Sequence, residues 1–367
     1  MTTKNKILIT GNEACGEGAI QAGCRFYAGY PITPQNELTA YMSKRMDELG
    51  GVFIQAESEL AAVSMVFGAA VAGKRAMTSS SSPGISLKQE GISYLAGCEL
   101  PAVIINIMRG GPGLGNISPS QADYFQATKG GGHGDYRMVV LAPATCQEML
   151  DLTREIFDIA DKYRNPVMVL GDGMLGQMME PILVDRRSSI VDRKRHTTYD
   201  IRHTKTWALT GCKGRKPNVI RSLILKEGAL EEHNKKLQKK FNLMKKNEIR
   251  FEKYKTENAK IVIVAYGTSS RIARASVERL RKAKINAGLF RPISLWPFPY
   301  KELKSLDRGK TKFLTVEMSA GQMVEDVRLA VQDDKRVRFY GRAGGGVPTE
   351  EEIVKAVLRI KHGKDNI

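Results

Sequence analysis

The chain has 367 residues, 42% of them hydrophobic, and a formal net charge of +18 at pH 7. That length allows two or three domains with packed cores, and no run approaches the roughly 20 apolar residues that cross a bilayer. The positive field favours anionic partners, whether nucleic acid, an acidic protein or an anionic small molecule, without choosing among them. The opening MTTKNKILIT lacks the apolar stretch and cleavage site of a signal peptide, so a cytoplasmic protein is expected.

From Lys6 to about residue 184, short apolar runs alternate with amphipathic stretches. KILIT reads as a strand and GNEACGEGAIQAG as the helix after it. GYPITP then leads into the helical NELTAYMSKRMDEL, and AVIINIM, Ala102 to Met108, is a continuous apolar run. MVVLAPA and PVMVLGD repeat the pattern. Buried apolar strands alternating with helices predict a parallel sheet covered on both faces, hence an α/β fold. Residues 185–257 are different. DRRSSIVDRKRHTTYDIRHTK is polar and basic, and from Leu230 a narrow stripe of Leu230, Leu237, Met244 and Phe251 recurs every seven residues among charges. A long exposed helix with one seam on a neighbour fits that stripe, and the basic region, with Lys235, Lys236, Lys239 and Lys240, is expected to face an anionic partner or a neighbouring subunit. From residue 258 the α/β rhythm returns in KIVIVAYG, INAGLFRP, KFLTVEM and VRFYG, a second and smaller unit ending at 367.

Five cysteines occur, Cys15, Cys24, Cys98, Cys146 and Cys212, at spacings that suit neither CxxC pairs nor an iron–sulfur run. No phosphate loop, metal-ligand histidine spacing or nucleophile elbow is present, so no metal site is assigned to this chain. Five places could carry chemistry. In Tyr30-Pro31-Ile32-Thr33-Pro34, Thr33 is placed to cap a helix starting at Pro34, and such a helix start accepts anions; an ordinary capped helix is the plainer reading. Glu57 and Glu59 open a helix that turns small and apolar through Gly68 and Ala72, so a carboxylate there needs a partner or a task, although first-turn acids also serve the helix dipole. Arg109 follows AVIINIM, at the carboxyl end of a strand where open α/β sheets bind ligands. It suits a carboxylate or a structural ion pair, and the glycines after it do not form G-x-G-x-x-G, because Asn116 stands at the last position. His133, set among glycines in TKGGGHGDY, and the hydroxyls of SSSSPGIS, Ser82 among them, are further candidates for proton transfer or polar contact.

YPITP, AESELAAVSMVFGAA, TSSSSPGISLKQEGISYLAG, MRGGPGLG and PSQADYFQATKGGGHGDYR, in that order, resemble the 2-oxoacid:ferredoxin oxidoreductases, and residues 258–367 resemble the transketolase C-terminal domain of the same subunit type. The resemblance implies a thiamine diphosphate pyrimidine-binding domain over 1–184, a basic linker with a long helix over 185–257 and a transketolase C-terminal-like domain over 258–367. It implies an alpha-type subunit in the coenzyme A-dependent oxidative decarboxylation of a 2-oxoacid, with electrons passing to ferredoxin. A branched-chain acid, 3-methyl-2-oxobutanoate, is the expected substrate and 2-oxoglutarate the alternative. Glu59 would hold the aminopyrimidine of thiamine diphosphate, with Glu57 the competing candidate and Tyr30, Pro31 and Ile32 against the cofactor; Thr33 and Arg109 would bind substrate.

Gly171-Asp172-Gly173 looks like half of a diphosphate grip, but no asparagine follows at the spacing that grip needs; the next is Asn218. The diphosphate, its Mg²⁺ and the iron–sulfur clusters are therefore expected on partner subunits, a beta-type thiamine diphosphate-binding chain and an iron–sulfur chain. A basic nucleic-acid-binding protein is the other reading of the charge, and nothing resembles its motifs. A scaffold that kept the fold and lost the chemistry is the third, and the joint presence of Thr33, Glu59 and Arg109 argues against it.

Overall fold

The computed structural model describes residues 4–185 and 205–363. The basic stretch singled out above lies, from 186 to 204, outside the described residues. The first half runs β1 (Lys4–Thr10), α1 (Gly11–Gln21), β2 (Phe26–Gly29), α2 (Asn36–Glu48), β3 (Val52–Gln55), α3 (Glu59–Val71), β4 (Ala76–Ser80) and α4 (Ser82–Gly97). It continues with β5 (Ala102–Met108), α5 (Tyr124–Thr128), β6 (Val139–Leu141), α6 (Cys146–Tyr163), β7 (Pro166–Asp172), α7 (Gly173–Gln177) and β8 (Met179–Asp185). After the undescribed stretch come α8 (Ala229–Asn247), β9 (Phe251–Tyr254), β10 (Ile261–Val264), α9 (Gly267–Lys282), β11 (Ala287–Pro292) and β12 (Ser294–Trp296). The chain closes with α10 (Tyr300–Lys304), β13 (Lys312–Glu317), α11 (Met323–Val331), β14 (Val337–Gly341) and α12 (Glu350–Lys361).

The central sheet has seven strands in the order β12-β6-β7-β5-β4-β2-β3. Its pairings are parallel except for β12 on β6. Every residue of β5 and β7 is buried, which is why both read as unbroken apolar runs: helices cover the two faces of the sheet. A second sheet of five strands, β14-β13-β10-β11-β9, lies in the C-terminal unit and is parallel except for β9.

Three expectations need correction. KILIT is a strand, but it stands outside the parallel sheet and pairs antiparallel with β8. Leu8 is exposed while Ile7 and Ile9 pack on the core, and such one-sided burial suits a two-stranded ribbon. The stripe of seven-residue spacing is not continuous either. Leu230 is half-exposed, α8 buries Leu237, Phe241 and Met244, and the helix has ended before Phe251, which sits on β9 stacked against Phe290 at 5.6 Å between ring centroids. Finally, α8 docks on this chain's own first unit. His233 Nε2 meets Gly97 O at 2.8 Å and Gln238 donates to Asp135 O at 2.8 Å. Lys236 and Lys240 both pair with Glu99, and Lys235 pairs with Glu231 and Glu232. Three of the four lysines expected to face an anionic partner thus have acids of their own chain, and burial pushes the Lys240 ammonium down to about 8.

A polar seam joins the two units. Gln121 donates to Tyr266 O at 2.9 Å and accepts from Ser269 Oγ at 2.7 Å and Met318 N at 3.0 Å. Arg291, buried, forks onto both oxygens of Glu148 at 2.7 Å each, a bidentate geometry that fixes orientation as well as distance. Asp172 of the Gly-Asp-Gly turn belongs to this seam. It caps α7 through Met174 N and Leu175 N at 3.1 Å and accepts from Thr268 Oγ1 at 2.8 Å and Thr268 N at 3.3 Å.

Candidate functional site

Strands β5, β4 and β2 lie side by side, and their carboxyl ends open where α/β sheets receive ligands. Each delivers a loop or helix start to the same place. After β4, Ser80 and Ser81 lead into α4, whose first turn holds Pro83, a residue pre-set for that position. After β5 comes Arg109, and after β2 the Tyr30–Pro34 turn.

Ser58 places the two glutamates differently. Its Oγ accepts from Ala61 N at 3.2 Å and so caps α3, leaving Glu57 exposed outside the helix. Glu59 becomes the first helical residue and is 6% exposed. Its carboxylate lies over Gly84 of α4: a Cβ there would sit 2.5 Å from Glu59 Oε1 and would also collide with Ser80 Oγ. No hydrogen-bond donor among the described residues reaches that carboxylate, while the Glu59 carbonyl accepts from Lys88 Nζ at 3.2 Å.

Arg109 is buried and donates through its two terminal nitrogens to Thr33 O at 2.9 Å and Leu114 O at 3.0 Å. Among the described residues no carboxylate pairs with it, so the structural ion pair is not what holds it. Its backbone N–H meets Ser82 Oγ at 3.0 Å, and that hydroxyl donates to Asp123 Oδ2 at 2.6 Å, which also accepts from Asn106 Nδ2 at 2.9 Å. Burial holds the Asp123 carboxyl above the usual range, with the Ser82 and Asn106 bonds opposing it. Beneath them a hydroxyl chain runs from Tyr27 through Ser79, at 2.6 Å, to Gln35 Oε1, at 2.6 Å.

Five buried polar atoms around these strand ends have no partner: Ser80 Oγ, Ser81 Oγ, Gln89 Nε2, Asn106 Oδ1 and Arg109 Nε. Native interiors leave few such atoms, and a cluster of them needs an explanation. Together with the donor-free carboxylate of Glu59, they fit a polar heterocycle and a small carboxylate better than they fit a closed core.

The structure therefore gathers Thr33, Arg109 and Ser82 at one edge of α4 and Glu59 over its first turn. Thr33 does not cap a helix, contrary to expectation. The Thr33–Pro34 peptide is cis, α2 starts at Asn36 after Gln35, and the Thr33 hydroxyl instead receives Asn36 Nδ2 at 3.3 Å. Tyr30 and Pro31 lie exposed on the rim with Ile32 half-buried behind them. His133 is not brought here. It is exposed, its carbonyl accepts from Ser93 Oγ at 2.7 Å and its ring meets Tyr94 edge-on, some three turns or about 16 Å along α4 from Ser82. The sequence reading missed Lys88 and Asp123. For Lys88 a signal existed: Gly84, Lys88 and Gly91 are spaced i, i+4 and i+7, which puts the lysine on the same helix face as two glycines.

Residues 17–254 match the family model described as pyruvate flavodoxin/ferredoxin oxidoreductase, thiamine diP-binding, and residues 259–353 match pyruvate:ferredoxin oxidoreductase core domain II. The chain is 49% identical over 353 residues to the ketoisovalerate oxidoreductase subunit VorB of Methanothermobacter thermautotrophicus, covering 96% of this chain and 97% of that one. It is 37% identical over 363 residues to the 2-oxoglutarate synthase subunit KorA of Methanocaldococcus jannaschii, covering 95% and 98%. Among solved structures, the 2-oxoglutarate:ferredoxin oxidoreductase from Magnetococcus marinus, with 2-oxoglutarate, coenzyme A and succinyl-CoA bound, superposes with a TM-score of 0.84 at 29% identity; 97% of this chain is covered, and it spans 65% of that longer chain. A split-gene transketolase, at 17% identity and a TM-score of 0.57, shares the fold.

Proposed function

Because the chain belongs to the 2-oxoacid:ferredoxin oxidoreductase family, we propose that the cleft at the ends of β2, β4 and β5 is the pyrimidine half of a thiamine diphosphate site that a partner chain completes. The observation that carries this is the Glu59 carboxylate: buried, seated on Gly84, and without a hydrogen-bond donor among the described residues. Glu59 would share one proton with a pyrimidine ring nitrogen, donating it as the acid and accepting from the protonated ring as the carboxylate. Gly84 keeps the carboxylate against α4, and Ser80 and Ser81 offer unpaired hydroxyls to the ring's polar edge. Tyr30, Pro31 and Ile32 form the rim beside it.

Bound thiamine diphosphate supplies the electron sink for loss of carbon dioxide from a 2-oxoacid. Arg109 and Thr33 orient the substrate carboxylate. The Arg109 Nε–H is the buried donor left free for it, and the two carbonyl bonds fix the guanidinium plane so that little freedom is lost on binding. Ser82 serves by anchoring the Arg109 main chain.

The substrate is a branched-chain 2-oxoacid, 3-methyl-2-oxobutanoate, and coenzyme A and ferredoxin take the acyl group and the electrons; the VorB relatives support this over 2-oxoglutarate. Mg²⁺ and the iron–sulfur clusters belong to partner chains. Asp172 already accepts from four donors, and burial pushes the thiols of Cys15, Cys24 and Cys146 up to about 12, which disfavours the thiolate a cluster needs. The test is to copurify the chain with its partners and measure coenzyme A-dependent dye reduction. Faster turnover with 3-methyl-2-oxobutanoate than with 2-oxoglutarate is expected; the reverse order assigns the chain to the other substrate, and no turnover with either defeats the reading.

A further inference from the structure

The face of α4 that carries Gly84, Lys88 and Gly91 meets α3. A Cβ on Gly91 would lie 2.6 Å from the Val63 side chain, and one on Gly84 would lie 2.5 Å from Glu59 Oε1. Between these two close approaches stands Lys88, 0% exposed, with Nζ on the Glu59 carbonyl at 3.2 Å. No carboxylate forms an ion pair with that ammonium among the described residues. For the fold alone the arrangement is unfavourable. A charge is buried with a single hydrogen-bond acceptor, and it lies at the start of α3, where the helix dipole is itself positive. A methionine of similar length would fill the same volume without either cost. The return lies next door, in the placement of the carboxylate of the residue whose carbonyl Lys88 holds.

We propose that Lys88 is a positioning residue for the reaction at Glu59, clamping the first turn of α3 through the Glu59 carbonyl so that the carboxylate stays seated over Gly84. This rests on the reading of Glu59 given above. The other charged groups at this end of α4 are engaged elsewhere: Asp123 by Ser82 and Asn106, and Arg109 by the carbonyls of Thr33 and Leu114. α4 packs on α3, β5 and β7. Glu59 is the one ionisable residue of α3, β5 has none, and β7 has only Asp172, which is engaged at the seam. The loop over α4 makes its contacts at Gln89 and Ser93. Burial pushes the Lys88 ammonium down to about 8, with Glu59 opposing the fall, so at neutral pH it is charged but held at a cost to the fold.

The test uses the assembled complex carrying Lys88→Met, with Lys88→Gln and Glu59→Gln beside it. Lys88→Met should lower kcat by roughly 10- to 100-fold with KM little changed. Melting gives a readout independent of turnover. Lys88→Met should melt at or above the wild type at pH 7. That gap should narrow as pH rises from about 8 to the ordinary lysine value near 10.5, because in this window the unfolded lysine binds a proton that the folded one has lost, so wild-type stability climbs with pH. Lys88→Gln keeps a donor for the carbonyl and should recover part of the lost kcat. Wild-type kcat in both lysine variants overturns the proposal, as does a lowered melting temperature with unchanged kcat, which marks a purely structural residue. Failure of both to assemble also overturns it. If Glu59→Gln abolishes turnover while the lysine variants do not, this inference alone falls; if Glu59→Gln keeps turnover, the Glu59 reading falls first.

Discussion

The two α/β units each bury a glutamate beside a helix start, and they treat it in opposite ways. Glu317, at the end of β13, is 0% exposed and accepts from Met323 N and Val324 N at 3.0 Å, Gln322 N at 3.2 Å and Ser319 Oγ at 3.0 Å. It organises the turn into α11, and its oxygens are saturated. Glu59, at the start of α3, is nearly as buried and receives no donor on its carboxylate among the described residues. Burying an acid is costly in both places. In the C-terminal unit the surrounding main chain compensates; in the N-terminal unit no hydrogen-bond donor among the described residues does. The same contrast extends to the surroundings. The seam at Gln121 and Asp172 is closed by reciprocal bonds, whereas the ends of β4 and β5 carry the unpaired atoms of Ser80, Ser81, Asn106 and Arg109.

The comparison can be broken by substitution. Glu59→Gln in the assembled complex should reduce turnover by about 10²- to 10⁴-fold, the range for loss of a positioned acid–base group, while leaving the melting temperature unchanged; turnover near the wild-type level would make the two glutamates equivalent. Arg109→Lys should raise KM for the 2-oxoacid by about 10- to 100-fold, because a charge-assisted bond is worth about 1.5–3 kcal/mol and an ammonium cannot reproduce the fork; steady-state kinetics over a range of substrate concentrations measures it. Glu317→Ala should do the reverse of Glu59→Gln. Orphaning its donors should destabilise the chain by about 2–4 kcal/mol, read as a lower denaturation midpoint, with kcat per folded complex unaltered. Gly84→Ala should have the smallest effect, a few-fold loss of kcat and about 1–3 kcal/mol from overpacking, since its methyl group would press on Glu59 and Ser80.

Much of this architecture could be read from the sequence because it rests on local pattern. AVIINIM and PVMVLGD are apolar throughout since both their faces are covered, and they are β5 and β7. The preference for Glu59 over Glu57 comes from the resemblance alone; the structure adds that Ser58 accepts from Ala61 N, which makes Glu59 the first residue of α3. What local pattern does not contain is partnership at long range. KILIT announces a strand but not that its mate is β8. Leu230 and Phe251 continue a stripe of seven-residue spacing on paper, but the helix ends at Asn247 and the chain turns into β9. Thr33 looks like a cap until the Pro34 turn delays the helix to Asn36. Lys88 was missed for a related reason. Within SLKQEG a lysine reads as a solvated helix charge, and only the approach of α3 makes it the most deeply buried cation beside the cleft.

One short strand has a consequence for how this protein can be divided. β12, only Ser294 to Trp296, comes from the C-terminal half yet pairs with β6 at the margin of the first unit's sheet, and Trp296 rests edge-on against Phe241 of α8. A chain severed after Tyr254 would lose that cover and present the β6 main chain as a bare edge, an open template for other strands and a route to aggregation. The two units are thus interleaved rather than strung in series, and an attempt to express the first alone should include Ser294 to Trp296 in some form.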